Sequence, residues 1–176
     1  MLIGFVGSPR SGKTTLSFEL AAFLKNNGYA VEFIPELARD FIRANKTINK
    51  GLEEADQKAI LEAQEDKEEF HRKWNSKDCI TITDGSTVNS LFYLNIHDEW
   101  LLEKQILRYD LLILCDLIHN EVVDSNRIHD YEFSKGMNNY LQLNARRFAN
   151  VVYVTGFNTQ RLIKVVDAVD KVLKCK

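Results

Sequence analysis

Gly7-Ser8-Pro9-Arg10-Ser11-Gly12-Lys13-Thr14 decides how this chain is read, because it matches the pattern G-x-x-x-x-G-K-[ST] in full. Leu2-Ile3-Gly4-Phe5-Val6 leads into it as an apolar run suited to a buried parallel strand. Behind it, Leu16, Leu20, Phe23 and Leu24 share one face of a helix predicted over Thr15 to Lys25. Strand, loop and helix in that order give the pattern a physical purpose. A phosphate chain needs several backbone N–H donors converging on it, glycines let the backbone come close, and the helix start adds its positive end. Gly7, Ser8, Pro9, Arg10, Ser11, Gly12, Lys13, Thr14 and Thr15 are therefore the candidate nucleotide cradle. Lys13 is expected to reach the β- and γ-phosphates, Thr14 to ligate Mg²⁺ through its hydroxyl, and Thr15 to touch a neighbouring phosphate oxygen.

Composition limits the alternatives. The 176 residues, 45% hydrophobic, suit one domain over 1–176 with a continuous core. A net charge of −2, from 23 Lys+Arg against 25 Asp+Glu, gives no global field for nucleic acid or anionic lipid, although a local basic groove stays open. Cys79, Cys115 and Cys175 are far apart and show no C-x-x-C spacing, which argues against a disulfide framework or a zinc site. His71, His97, His119 and His129 show no ligand spacing either. The N-terminal apolar stretch lacks the form of a signal peptide, and no run approaches the ~20 apolar residues of a membrane span. A soluble protein in the reducing cytoplasm is the expectation. Oligomeric state is not legible.

Further strands are expected at Tyr29 to Ile34, Cys79 to Thr83, Leu111 to Cys115 and Asn150 to Val154, each followed by helical or turn sequence. Gly28 is a natural helix cap, and Pro35 ends the second strand. Glu53 to Trp74 reads as a long, charged helix that is mostly solvated, with Ile60, Leu61 and Phe70 as a sparse apolar face. The region 117–131 reads as a mobile connection, a lid segment carrying Asp124, Asn126, Arg127, His129 and Asp130. Five apolar strands alternating with helices predict a three-layer α/β P-loop NTPase fold, a five-stranded parallel sheet with helices on both faces. Ligands of such sheets sit beyond the strands' carboxyl ends. Glu36, Asp84, Asp116 and the pair Thr155-Gly156 follow strands and join the cradle as candidates, with Thr155, Gly156 and Arg161 placed where a base would rest.

Asp84 ends a hydrophobic strand, where an acid can hold Mg²⁺ directly or through water. Gly85 and Ser86 follow it, not the glutamate by which motor ATPases activate water, and no Asn-Lys-x-Asp guanine-reading segment is present. A small kinase fits better, since it must close over two substrates and exclude water. Glu36 is placed to take the proton of an attacking hydroxyl or to bind a sugar, and also suits a plain helix-start acid. Arg127, Arg146 and Arg147 are candidates to stabilise transferred charge, or simply to form surface salt bridges.

Pro35-Glu36-Leu37-Ala38-Arg39-Asp40 resembles the Glu-Tyr-Ala-Arg-Glu segment of the nicotinamide riboside kinase-like P-loop family. Gln64, Thr83-Asp84-Gly85-Ser86 and Asp124-Ser125-Asn126-Arg127 resemble that family's later landmarks, so the likeness spans nearly the whole chain. Thymidylate kinase-like enzymes, including virus-encoded ones acting on modified nucleotides or on bases in DNA, look similar. The resemblance implies ATP with Mg²⁺, a nucleoside- or nucleotide-like acceptor, Glu36, Arg39 and Asp84 near that acceptor, and Arg127 on a lid. Leu37 stands where the family has an aromatic, and Ser125-Asn126 where a glycine is usual, which leaves the acceptor open. The competing reading is a P-loop ATPase or nucleotide switch acting on a protein or nucleic-acid partner through the Glu53 to Trp74 helix and Trp100. A binding module with degenerate catalysis ranks last, because Lys13, Thr14 and Asp84 are all present.

Overall fold

The computed structural model describes residues 1–45, 52–118 and 130–174. Five strands, β1 (Leu2–Val6), β2 (Val31–Ile34), β3 (Ile80–Thr83), β4 (Leu111–Cys115) and β5 (Val151–Val154), form one parallel sheet in the order β2-β3-β1-β4-β5. The helices are α1 (Lys13–Asn26), α2 (Leu37–Asn45), α3 (Glu54–Trp74), α4 (Thr87–Tyr93), α5 (Glu99–Ile106), α6 (Tyr131–Ala145) and α7 (Asn158–Lys174). This is the P-loop α/β fold that strand-helix alternation predicts, within a few residues at each boundary. The second strand starts later than expected, at Val31.

Period-two alternation builds a core on each face of the sheet. Ile3 and Phe5 of β1, Ile80 and Ile82 of β3, and Ile113 of β4 face Leu16, Leu20 and Leu24 of α1 and Val165 and Val169 of α7. Leu2 and Val6, with Leu112 and Leu114, face Val88 and Leu91 of α4, Leu102 and Ile106 of α5, and Met137 and Leu141 of α6. Fully burying each such side chain is worth roughly 1.5–3 kcal/mol, so these two layers carry most of the stabilisation. Phe23, expected on the inner face of α1, is instead 37% exposed; the stripe closes with Leu16, Leu20 and Leu24. Cys79 and Cys115 are free and buried in the core, and Cys175 lies outside the described residues.

The expectation for α3 needs correction. Its charges are not all solvated: Gln64 and Glu68 are buried, 4% and 1% exposed, on the same stripe as Ile60, whereas Phe70 is 58% exposed. Gln64 Nε2 donates to Glu68 Oε1 and to Thr83 Oγ1, both at 2.8 Å. Tyr109 Oη donates to Glu68 Oε1 at 2.8 Å and accepts from the Thr87 N–H at 2.9 Å. Arg108 reaches Glu68 Oε2 at 3.4 Å. Two arms thus run from one buried carboxylate to Thr83 and Thr87, on either side of Asp84. Gly4 makes room for this network, because a Cβ there would lie 2.6 Å from the Tyr109 ring.

With β1 between β3 and β4, the carboxyl ends of β1 and β3 are neighbours, Gly4 pairing with Thr83. The loop after β1 and the acid after β3 therefore meet in one crevice.

Candidate functional site

The loop from Gly7 to Gly12 turns sharply into α1. Gly12 has φ +73° and Arg10 φ +68°, while Gly7 lies so close to β4 that a Cβ would stand 2.7 Å from the Cys115 carbonyl oxygen. Only glycine satisfies both the left-handed turn at Gly12 and the contact at Gly7 without strain. Asn89 of α4 holds the entrance, its Oδ1 accepting from the Gly7 N–H at 3.2 Å. The first turn of α1 carries no acidic residue, so nothing on the helix itself offsets its positive end. Lys13 lies folded over the loop, its Nζ donating to the Gly7 and Ser8 carbonyls, each at 2.9 Å.

Asp84 sits opposite, 2% exposed. Its carboxyl is raised above the ordinary range by burial first and then by the charge of Glu36, against the lowering effects of a hydrogen bond with Thr14 and the charges of Lys13 and Arg39. Lys13, Thr14, Glu36, Arg39 and Asp84, which the sequence places after three different strands, are thus brought into one electrostatic neighbourhood. Ser8 Oγ, Arg10 Nε and Asp84 Oδ1 are buried polar atoms with no hydrogen-bond partner among the described residues. Orphans also occur away from the loop, at Gln105, Arg108 and Asn150 among others, but these three lie at the loop and the facing acid, where a bound phosphate or cation can satisfy them. The donor set suits Mg²⁺, a hard cation that takes one or two protein oxygens and fills its octahedron with phosphate and water. The Thr14 hydroxyl and the orphaned Asp84 oxygen are such a pair. Among the described residues no cluster of three or more His, Cys, Asp or Glu forms an all-protein metal cage.

Glu36 precedes α2 and accepts from Arg39 Nε at 2.7 Å, with 31% of its side chain exposed. The Glu36 charge reaches Tyr93, a member of an aromatic cluster packed against the core that the sequence did not disclose. Tyr93, closing α4, stacks on Phe133 of α6 with ring centroids 5.8 Å apart, and Phe92 and Tyr140 extend the group. The Tyr93 hydroxyl is held protonated far above its ordinary value by burial and by the nearby charge of Glu36.

On the other side of the loop, Thr155 and Gly156 are exposed after β5. Arg161 of α7 is 3% exposed and is not free to stack on a base; it donates Nε to the Gly156 carbonyl at 2.7 Å, Nη1 to Ser11 at 2.5 Å and Nη2 to Asp116 at 2.8 Å. Asp116 Oδ1 in turn accepts from Asn138 and Gln142 of α6, so this acid is a structural anchor. Arg146 lies over the Tyr153 ring and Arg147 pairs with Glu99 at 3.7 Å, which leaves neither among the residues gathered at the loop. Arg127 and the other polar residues of the expected lid, from Asp124 to His129, lie outside the described residues. Cys115, against Gly7, is pushed up to about 12 by burial and serves packing.

A family model described as an AAA domain, AAA_28, matches residues 2–158. No match was found among curated proteins. Among solved structures, the fold is shared with the NadR protein in complex with NR (22% identity, TM-score 0.69, 99% of this chain and 52% of that one). It is also shared with the NadR protein in complex with NAD and AMP-PNP (22%, TM-score 0.68, 97% and 49%). A third is the deoxyadenosine kinase from M. mycoides with products dCMP and a flexible dCDP bound (14%, TM-score 0.62, 97% and 100%). The chain spans about half the length of the two NadR chains. These likenesses bear out the P-loop α/β fold that the resemblance implies. No helix among the described residues is long and apolar enough to cross a membrane.

Proposed function

This chain belongs to the AAA domain family, and we propose that residues 1–176 form a single kinase-like unit, a reading supported by the fold it shares with NadR and deoxyadenosine kinase. In this reading it moves the γ-phosphoryl group of ATP to a hydroxyl or phosphate of a nucleoside- or nucleotide-like acceptor. The observation that carries it is the electrostatic coupling of two carboxylates, Glu36 and Asp84, to each other and of Asp84 to Lys13 of the loop, with Tyr93, stacked on Phe133, within reach of the Glu36 charge. An ATPase needs only water at that position. An aromatic ring within reach of acids suits a ring-bearing acceptor with hydroxyls.

The residues divide the work as follows. Backbone N–H groups of Gly7 to Thr14 cradle the phosphates, and Lys13 swings from the loop carbonyls onto the β- and γ-oxygens. The Thr14 hydroxyl and the Asp84 carboxylate would hold Mg²⁺, which would supply charge neutralisation there. Glu36, fixed by Arg39, orients the acceptor hydroxyl and takes its proton as the new P–O bond forms and the bond to the departing ADP oxygen breaks. Catalysis is mainly positioning and electrostatic stabilisation.

The exposure of Phe70 and Trp74 on α3 and of Trp100 on α5 favours a second reading, an ATPase or switch with a macromolecular partner that these rings would contact. One screen separates the two. Purified protein with Mg-ATP is offered nucleosides, nucleoside monophosphates, nicotinamide riboside and DNA, with Lys13→Ala as blank. Stoichiometric phosphorylated product from one class supports the kinase; slow consumption indifferent to every small acceptor sinks it.

A further inference from the structure

Phosphate loops work by turning N–H groups inward, which obliges their carbonyls to turn outward and find donors elsewhere. In a trans peptide the C=O and N–H point in opposite directions. The peptide joining Ser11 to Gly12 is therefore oriented by whatever holds the Ser11 oxygen, and that is Nη1 of Arg161, at 2.5 Å. The same guanidinium spans the Gly156 and Asp116 carbonyls at 2.7 and 2.8 Å, so its plane is fixed at two points by the residues that follow β5 and β4, and the third donor is left for Ser11. Asp116 is itself fixed: its N–H donates to the Val154 carbonyl, and its carboxylate accepts from the Leu117 N–H, Asn138 and Gln142. Arg161 lies so near the loop that a Cβ at Gly12 would stand 3.4 Å from Nη1. All three of its partners are neutral carbonyls; among the described residues no carboxylate lies at salt-bridge distance from it.

We propose that Arg161 is a positioning residue for the phosphate loop: it holds the Ser11–Gly12 peptide with the Gly12 N–H facing the phosphates, and lends the loop a buried positive charge from behind. The proposal rests on the reading that this loop binds a nucleoside triphosphate. Burial makes the arrangement effective, because a cation shielded from water acts on a nearby anion through a low dielectric. The fork geometry also matters. A lysine keeps the charge but cannot meet three carbonyls at once.

The test is calorimetric titration of the full chain, without acceptor and well below each variant's melting temperature, with Mg-ATP and with inorganic tripolyphosphate as a base-free probe. Arg161→Met is expected to weaken both probes by the same factor, about tenfold or more. Arg161→Lys is expected to fall between Met and wild type. A residue acting only on stability lowers the melting temperature and leaves both affinities in place, and a residue that reads the base weakens ATP alone; either result overturns the proposal. Should Arg161→Met fail to fold, a folded Arg161→Lys that binds both probes as tightly as wild type also overturns it. Wild-type protein that binds neither probe removes the triphosphate reading and this proposal together, whereas intact wild-type binding with unchanged variants removes the proposal alone.

Discussion

Glu68 offers the sharpest test of the packing argument, because one carboxylate oxygen receives both Gln64 and Tyr109 at 2.8 Å in an environment only 1% exposed. Truncation by Glu68→Ala leaves a Gln64 N–H and the Tyr109 hydroxyl without that acceptor. Each stranded buried donor costs roughly 1–3 kcal/mol, and relief of the carboxylate's own desolvation offsets part of it, so a net loss of about 2–4 kcal/mol is expected. Glu68→Gln keeps the shape and the accepting oxygen and should stay within about 1 kcal/mol of wild type. The two variants also separate by pH. Burial raises the Glu68 carboxyl above its ordinary 4.5, against the lowering effects of Gln64, Tyr109 and Arg108. The folded protein therefore binds this proton more tightly than the unfolded chain does. The associated stability is fully present below 4.5 and is lost as pH rises through the raised folded value. Wild type should consequently lose stability relative to Glu68→Gln over that window. Urea unfolding followed by far-ultraviolet circular dichroism, with an unchanged m value, measures both effects. A Glu68→Ala loss under about 0.5 kcal/mol, or wild type gaining on Glu68→Gln as pH climbs from 4.5, would refute the reasoning.

Asp84→Asn should retain the wild-type melting profile while phosphoryl transfer falls by about a hundredfold or more, read by product formation on the acceptor found in the screen. Tyr93→Leu should raise the acceptor KM about tenfold through lost stacking and leave the ATP KM unchanged; a shift in the ATP value alone would place the aromatic cluster elsewhere. Gly4→Ala puts a methyl 2.6 Å from a Tyr109 ring that hydrogen bonds already pin, so thermal unfolding should show about 1–3 kcal/mol lost. Gly136→Ala, on the exposed side of α6 with open space around it, should gain about 0.5–1 kcal/mol in the same assay.

The strands and the loop were legible because their signals are local. Leu2 to Val6 and Leu111 to Cys115 are uninterrupted apolar runs, and the loop's fixed glycine spacing is a backbone requirement written directly in residue types. Topology then made Glu36 and Asp84 candidates without any contact being known. What escaped was the bonding of polar residues on inward stripes, even where Gln64 and Arg161 themselves had drawn notice. Ile60, Gln64 and Glu68 recur at four-residue spacing, and Arg161 precedes Val165 and Val169 at the same spacing. A polar residue occupying a stripe position is the available clue, yet in α3 it is swamped by surrounding charge. Tyr93 and Phe133 meet only through the packing of α4 and α6, which periodicity within either helix does not encode.

The posture of Lys13 has a thermodynamic consequence. Its ammonium already rests on two main-chain oxygens, both at 2.9 Å, so a phosphate arriving at the loop enters a competition for an occupied cation. The lysine's share of binding is the difference between two sets of hydrogen bonds and not the whole of one. If Lys13 moves onto the β- and γ-phosphates as proposed, ligands too short to reach that position leave it parked at home and gain nothing from it. Discrimination by phosphate-chain length is thus available to this loop before any residue touches a base or a sugar.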